Sequence, residues 1–155
     1  MRIATFAAGC FWGVEAKFRQ LKGVVSTRVG YCNGHIPDPN YKLVCTGTTG
    51  HAEAIEVTFD PGIISYDQLL TFFWKMHDPT TLNRQGPDSG TQYRSAIFYH
   101  DDEQQQIALA SKQAMDNSGY FSQPIMTEIT AAITFYPAED YHQCYLEKQG
   151  LADCH

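Results

Sequence analysis

Residues 3–13 have the sequence IATFAAGCFWG, which joins an apolar run to a segment with helical spacing. The run Ile3–Ala8 predicts a strand, and residues 13–21 predict a helix whose apolar side chains share one face. Cys10 therefore lies where a strand ends and a helix begins. The backbone N–H groups and the dipole at a helix N-terminus favour a thiolate over a thiol. The junction thus predicts a nucleophilic cysteine.

The two residues that follow the cysteine, Phe11 and Trp12, are large, flat and apolar. Such side chains suit a pocket for a small apolar group better than a site for a charged one. Cysteine is also among the most buried residue types. The alternative interpretation is that Cys10 is a small buried side chain beside core aromatics, and the motif alone leaves both interpretations open.

Further apolar and β-branched runs predict the rest of a sheet. Strands are predicted at Ile3–Ala8, Val24–Tyr31, Glu53–Phe59, Tyr93–Tyr99 and Met126–Thr134. Later helices are predicted after a Ser65 and Gln68 capping box, over residues 102–117, and from near Pro137 to just before Gly150. This order predicts an α+β fold, a mixed β-sheet with packed helices and a ferredoxin-like core. A chain of 155 residues is expected to form one domain.

The amino-acid composition limits the possible binding partners and the cellular compartment of the protein. The chain carries 11 Lys and Arg against 17 Asp and Glu, a net charge of −6, and has no basic cluster. We therefore expect no nucleic acid and no membrane as a partner, and no apolar run approaches the roughly 18 residues of a membrane span. The five cysteines include no C-x-x-C pair and do not fit a secreted disulfide scaffold. A reducing, cytoplasmic setting is expected.

Glu53 begins an alternating stretch, and period-two spacing places it on the same face as Ile55, Val57 and Phe59. A carboxyl on a buried face has a raised pKa and keeps its proton near neutral pH, as a general acid requires. Because Glu53 lies near the start of the run, it is also interpretable as a strand-end glutamate that reaches solvent. This segment alone favours the second interpretation slightly.

Two tyrosines lie beside turn sequences, Tyr41 in the long segment 30–50 and Tyr93 at the start of a predicted strand. Loops and strand ends often contribute residues to functional sites. A phenolic O–H group at such a position could donate a hydrogen bond to an oxygen atom. With nine tyrosines in the chain, the default for each is a half-buried packing residue. Asp88 lies in a Gly- and Pro-rich turn and is by default an ordinary turn aspartate.

Near the C-terminus, Cys154 follows the short segment 150–153, which has no strong structural pattern. A thiol on such a tail is suited to attack an oxidised cysteine elsewhere, although an idle terminal thiol is the simpler interpretation. His142, Cys144, Cys154 and His155 do not have the spacing of the usual zinc sites, and His142 and Cys144 would diverge on a helix. No metal site is predicted.

Together these segments resemble the peptide methionine sulfoxide reductase A family, the reductases of the S epimer. The resemblance rests on five blocks in the family's order, which span nearly the whole chain: Gly9–Gly13, Gly50–Ala54, His77–Thr80, Gly90–Ser95 and Ala138–Gln143. One short motif arises easily by chance, whereas five ordered blocks do so very rarely. The resemblance therefore favours the chemical interpretation of Cys10 and Glu53.

The resemblance implies a single catalytic domain, residues 1–155, that reduces methionine (S)-sulfoxide, free or in proteins. It implies these roles: Cys10 as nucleophile, Phe11 and Trp12 as the pocket for the methyl group, Glu53 as acid, Tyr41 and Tyr93 as ligands of the sulfoxide oxygen, and Asp88 as a supporting residue. Attack by the thiolate would leave methionine and a sulfenic acid on Cys10. No bound cofactor is implied.

Resolution of the sulfenic acid is implied for Cys154, which falls where the family has a resolving cysteine, with thioredoxin reducing the resulting disulfide. Ala152-Asp153 replaces the usual Gly-Tyr before it, and Cys144 is a possible substitute. A thiol redox sensor, or a module that binds oxidised peptides without turnover, is the alternative function. Such a sensor has no need of an acid and paired phenols, so Glu53, Tyr41 and Tyr93 favour the enzyme.

Overall fold

The computed structural model describes residues 1–148, except the side chain of Glu147. The strands are β1 (Arg2–Ala8), β2 (Val24–Cys32), β3 (Ala52–Phe59), β4 (Arg84–Gln85), β5 (Asp88–Ser89), β6 (Ser95–Tyr99), β7 (Glu128–Ala131) and β8 (Phe135–Pro137). The α-helices are α1 (Phe11–Arg19), α2 (Tyr41–Val44), α3 (Tyr66–Met76), α4 (Asp102–Ser118) and α5 (Tyr145–Lys148), with 3-10 turns at Thr91–Tyr93 and Asp140–His142. Cys154 lies outside the described residues.

Six strands form one sheet in the order β7-β6-β1-β3-β2-β8, and β4 pairs with β5 in a separate hairpin. The β6–β7 pair is parallel and the other four pairings in the large sheet are antiparallel. The predicted α+β fold with a mixed sheet is confirmed. Its centre, β6-β1-β3-β2, is built from the element order β-α-β-β-α-β on which the ferredoxin-like prediction was based.

The main core lies between the sheet and helices α1 and α3. Phe6 of β1 is fully buried and stacks on Phe18 of α1 and Phe73 of α3, each with ring centroids 5.2 Å apart. Because side chains alternate along a strand, Ala7 belongs to a second, smaller cluster, rich in alanine, on the opposite face of the sheet. This packing fixes the start of α1 at the end of the central strand β1.

Most helix boundaries agree with the sequence. The capping box of α3 is present, with Gln68 N–H donating to Ser65 Oγ and Ser65 N–H donating to Gln68 Oε1. The segment 30–50, expected to be a long loop, contains the short helix α2, which Asn40 caps through a 2.8 Å bond from Leu43 N–H. No helix within residues 1–148 is long and apolar enough to cross a membrane.

The C-terminal segment differs from its prediction. The strand expected over 126–134 is the shorter strand β7, and an unpredicted strand, β8, follows that range and pairs with β2 at the opposite edge of the sheet. The helix expected from Pro137 is wrong, because Pro137 ends β8 and, between Pro137 and the last described residue, Lys148, only 145–148 are α-helical. Cys144 has φ +53°, a left-handed conformation that no α-helix interior accepts. Gln143 fixes the turn to the sheet by bonding both the N–H and the C=O of Val29.

Candidate active site

Cys10 is the N-cap residue of α1 and is partly exposed. Its carbonyl accepts the first helical bond, from Val14 N–H at 3.2 Å. The preceding residue, Gly9, has φ +101°, and a Cβ there would lie 2.8 Å from Cγ of Gln85. Only glycine allows this close and left-handed turn from β1 into the helix. The predicted nucleophile therefore lies at a helix N-terminus, as the sequence indicated.

Glu53 is 1% exposed, so the interpretation of a strand-end glutamate that reaches solvent is wrong. Its Oε1 accepts a 3.2 Å bond from Phe11 N–H, one of the N–H groups that α1 leaves without a helical partner. Its Oε2 is buried and has no hydrogen-bond partner among the described residues. Burial and, less strongly, the charge of Asp88 raise the pKa of Glu53 to about 8, against the opposing bond from Phe11. Most Glu53 side chains are therefore protonated at pH 7.

Tyr41 begins α2, and Tyr93 lies at the end of a 3-10 turn rather than in the strand predicted for it. Burial raises the pKa of Tyr93 to about 12, with a further contribution from the charge of Glu53. The pKa of Tyr41 is also raised, by burial, then by a hydrogen bond to Cys45, and by the charge of Glu53. Both phenols thus lie within electrostatic range of the carboxyl, and both keep a proton to donate at neutral pH.

Aromatic rings form a cage beside the N-terminus of α1, which comprises Phe11, Trp12, Tyr41, His142 and Tyr145. The Tyr41 ring lies 6.4 Å from both Phe11 and Trp12, and Trp12 stacks on Tyr145 at 3.9 Å. Phe11 is fully buried. The structure brings Phe11 and Trp12 together with Tyr41, one of the two predicted oxygen ligands, so apolar rings and a phenol lie side by side.

His142 is part of the cage, although the sequence indicated no role for it beyond a rejected metal ligand. It is 1% exposed, and its Nδ1 accepts a 2.9 Å bond from Trp12 Nε1. Because indole N–H only donates, Nδ1 carries no proton, and burial lowers the pKa of this histidine. His142 belongs to the Ala138–Gln143 block, but the helix predicted for that block gave no indication of the contact with Trp12. His142 therefore fixes the orientation of the Trp12 ring.

Glu139, two residues after β8, is a second residue of that block with an unforeseen place in the site. Its carboxylate accepts bonds from Tyr31 Oη at 2.9 Å and from the backbone N–H of Tyr41 at 3.2 Å. Tyr31 is fully buried and contacts Phe11 with a centroid separation of 5.8 Å. Glu139 thereby connects the start of α2 to β2, which positions Tyr41 within the cage.

Asp88, on the β4–β5 hairpin, lies with Cys10 in a cleft of about 330 Å³. Its charge raises the pKa of both Glu53 and Tyr93. The structure therefore brings Asp88 into the cleft of the predicted nucleophile and within electrostatic range of Glu53 and Tyr93. In the part of the chain that the structure describes, no group of three or more His, Cys, Asp or Glu side chains is placed to hold a metal ion.

The other described cysteines differ in their relation to Cys10. Cys144 lies with positions 12, 15, 16 and 19 of α1, whereas the cleft is lined by Cys10 itself and by positions 13, 14 and 17 of the same helix. The two sets are offset by two positions, about 200° around α1. Cys144 and Cys10 therefore lie on different sides of the helix. Cys32 is buried, which raises its pKa to about 11. Cys45 is exposed, beside Tyr41.

Comparison with known proteins assigns the family. Residues 2–155 match the family model described as peptide methionine sulfoxide reductase. The chain is 63% identical over 148 residues to the peptide methionine sulfoxide reductase MsrA of Methanosarcina acetivorans. The matched segment covers 96% of this chain and 79% of that protein. The chain belongs to the peptide methionine sulfoxide reductase family, as its five sequence blocks indicated.

Solved structures give the same result for the fold. Methionine sulfoxide reductase A of Corynebacterium diphtheriae superposes with a TM-score of 0.92 at 38% identity, covering 98% of this chain and 76% of that one. Mxr1 from Saccharomyces cerevisiae in reduced form superposes with a TM-score of 0.90 at 40% identity, covering 96% of this chain and 86% of Mxr1. Mxr1 in complex with Trx2 superposes with a TM-score of 0.66 at 27% identity, covering 93% of this chain and 84% of that one.

Proposed function

We propose that this protein reduces methionine (S)-sulfoxide, free or in proteins, to methionine, with Cys10 as nucleophile and Glu53 as acid. One observation carries the proposal. Glu53 is a buried carboxyl with a pKa near 8, bound to the first N–H of the helix that Cys10 caps. A thiol sensor or a peptide-binding module needs no protonated acid at this point, so the arrangement favours turnover.

The first half of the reaction is a two-electron exchange between two sulfur atoms. The Cys10 thiolate attacks the sulfoxide sulfur while Glu53 gives its proton to the sulfoxide oxygen. The oxygen then passes as hydroxyl to Cys10 and the substrate sulfur leaves as the thioether of methionine. Cys10 is oxidised to a sulfenic acid because it gives up the two electrons that reduce the substrate. Oε2 of Glu53, which has no partner among the described residues, is available to the sulfoxide oxygen.

The remaining predicted residues would orient the sulfoxide. The raised pKa values of Tyr41 and Tyr93 keep both phenols as donors, suited to a sulfoxide oxygen that gains negative charge during attack. The cage containing Phe11 and Trp12 would accept the methyl group. Asp88 would support the site by raising the pKa of Glu53. These contacts would hold the sulfoxide sulfur next to Cys10, and proximity of this kind supplies a large part of enzymatic rate enhancement.

The second half of the reaction needs another thiol. We assign it to Cys154, which lies outside the described residues, because Cys144 lies on a different side of α1 from Cys10. Attack on the sulfenic acid forms a disulfide and releases water. Thioredoxin would reduce that disulfide, which the complex of the related Mxr1 with Trx2 supports. No bound cofactor is needed, because thioredoxin supplies the electrons. A single catalytic domain in the cytoplasm is proposed on the basis of chain length and cysteine content.

The test is single-turnover reduction of the two separated epimers of N-acetyl-methionine sulfoxide, quenched and analysed for methionine. The parent protein should form methionine from the S epimer and leave the R epimer unchanged. Cys10→Ser should form none, because a neutral hydroxyl is a far weaker nucleophile than a thiolate. Methionine formation by folded Cys10→Ser, or no reduction of the S epimer by the parent, would overturn the proposal.

A further inference from the structure

The cleft that contains Cys10 extends to the side of the helix that faces away from the aromatic cage. It runs between α1, the end of α3 and the β4–β5 hairpin, and its volume of about 330 Å³ is at the lower end for ligand sites. Val14, Met76 and Pro87 give it an apolar floor. The cleft is thus continuous with the reactive thiol but contains neither the acid nor the phenols.

Two charged side chains line this cleft at different places. Asp88 lies near the acid, since its charge raises the pKa of Glu53. Lys17 is on α1, seven residues after Cys10, which corresponds to roughly 10 Å along a helix. An extended polypeptide covers that distance in about three residues. One end of the cleft therefore carries a negative charge and the other a positive one.

Lys17 is half-buried and its charge has no ionic partner within residues 1–148. Its Nζ donates only a long bond of 3.4 Å to Met76 O. The neighbouring His77 adds no charge at neutral pH, because burial lowers its pKa to about 4, and it bonds Phe73 O and Ser95 Oγ. Lys17 is thus the charge that a ligand meets at that end of the cleft.

We infer that the cleft binds the polypeptide that flanks a methionine sulfoxide, and that Lys17 makes the enzyme prefer an acidic residue about three positions from it. This inference rests on the proposed function, since it needs the sulfoxide at Cys10 and its methyl group in the cage. Asp88 disfavours an acidic residue directly beside the sulfoxide. Oxidised methionines in protein segments with an acidic residue at the longer spacing are therefore the preferred substrate class.

The test uses peptides that each hold one methionine (S)-sulfoxide and differ at one position, with Glu, Gln or Lys three residues before or three residues after it. The readout is kcat/KM with thioredoxin, its reductase and NADPH. The parent should prefer Glu over Lys about two- to fivefold on one side, the range of an exposed ion pair. The preference should shrink as salt rises. Lys17→Met should remove it and Lys17→Glu should reverse it, whereas Lys22→Met, an exposed lysine outside the cleft, should retain it.

The outcomes separate this inference from the function on which it rests. Turnover of N-acetyl-methionine sulfoxide by the parent tests the function alone. If that turnover occurs but the Glu and Lys peptides react equally, the inference is overturned and the function stands. A preference that persists in Lys17→Met also overturns it. If Lys17→Met instead slows formation of the disulfide after a normal first half-reaction, the cleft serves the chain's own C-terminal segment and the inference is wrong.

Discussion

Two glutamates, Glu53 and Glu15, are each 1% exposed and lie around the same helix, yet their surroundings differ. Glu15 accepts bonds at 2.7 Å from Cys144 N–H and at 2.8 Å from Thr27 Oγ1, so both of its oxygens are used. Glu53 accepts one bond of 3.2 Å, and its other oxygen has no partner in residues 1–148. Equal burial therefore produces a structural link in one place and, as we propose, a proton donor in the other.

The difference shows that hydrogen bonding, rather than burial alone, decides what a buried carboxyl does. The bonds of Glu15 join α1 to β2 and to the segment before α5. If Glu15 lost an acceptor oxygen, one of these donors would be buried without a hydrogen-bond partner, which destabilises the folded state. At Glu53 the missing donor leaves burial to dominate, and the raised pKa follows. Glu53, the proposed proton donor, thus accepts fewer hydrogen bonds than Glu15.

Glu53→Gln should give the largest effect on chemistry. The amide is nearly isosteric and has no acidic proton, so sulfenic acid formation at pH 7 should slow by about a hundredfold or more, the usual contribution of general acid catalysis. Rapid-quench measurement of methionine in a single turnover checks this, with circular dichroism as the control for folding. A parent-like rate in the folded variant would make Glu53 a structural residue like Glu15.

Cys154→Ser and Cys144→Ser form a pair that tests whether Glu15 fixes Cys144 away from the reaction. Cys154→Ser should still form about one methionine per enzyme but lose most thioredoxin-dependent cycling, because the thiol that we assign to attack the sulfenic acid is missing. Cys144→Ser should cycle like the parent. NADPH consumption and peptide mapping give the answer. Undiminished cycling of Cys154→Ser, with a Cys10 to Cys144 disulfide in the map, would reverse the assignment.

Glu15→Gln should affect stability rather than chemistry. Its amide replaces one acceptor oxygen with a donor, so Cys144 N–H or Thr27 Oγ1 loses its bond, at a cost of roughly 1–3 kcal/mol in the free energy of unfolding. Urea denaturation measures this, with Glu53→Gln as the matched variant of equal burial. A large loss of single-turnover rate with unchanged stability would show that the comparison between the two glutamates is wrong.

His142→Phe should have the smallest effect, confined to substrate binding. Loss of the bond from Trp12 leaves the indole less well oriented, and a bond worth about 1 kcal/mol corresponds to a rise in KM of roughly fivefold. His142→Asn retains an acceptor near Nδ1 and should restore most of the affinity. If both variants bind substrate like the parent, His142 serves packing alone.

The β1–α1 junction and the inward face of β3 were predictable from the sequence because both depend on local periodicity, in Ile3–Ala8 and Glu53–Phe59. The role of His142 was not predictable, because it depends on a contact with Trp12, 130 positions away. The helix predicted through Cys144 was wrong because a left-handed residue other than glycine gives no local signal. Local patterns thus predicted the helix N-terminus at Cys10 and the inward face of Glu53, the family resemblance favoured their chemical roles, and neither predicted the long-range bonds that orient the cage.

The most direct test of the central claim is the pH dependence of single-turnover sulfenic acid formation in the parent and in Glu53→Gln. Because burial raises the pKa of Glu53 to about 8, its proton is present below that pH and is lost above it. The parent rate should therefore fall as pH rises from 7 to 10, with a midpoint near 8. The slow Glu53→Gln variant should lack this decline, since an amide does not titrate. An alkaline decline that is identical in the two proteins, or absent from the parent, would contradict the assignment of Glu53 as the acid.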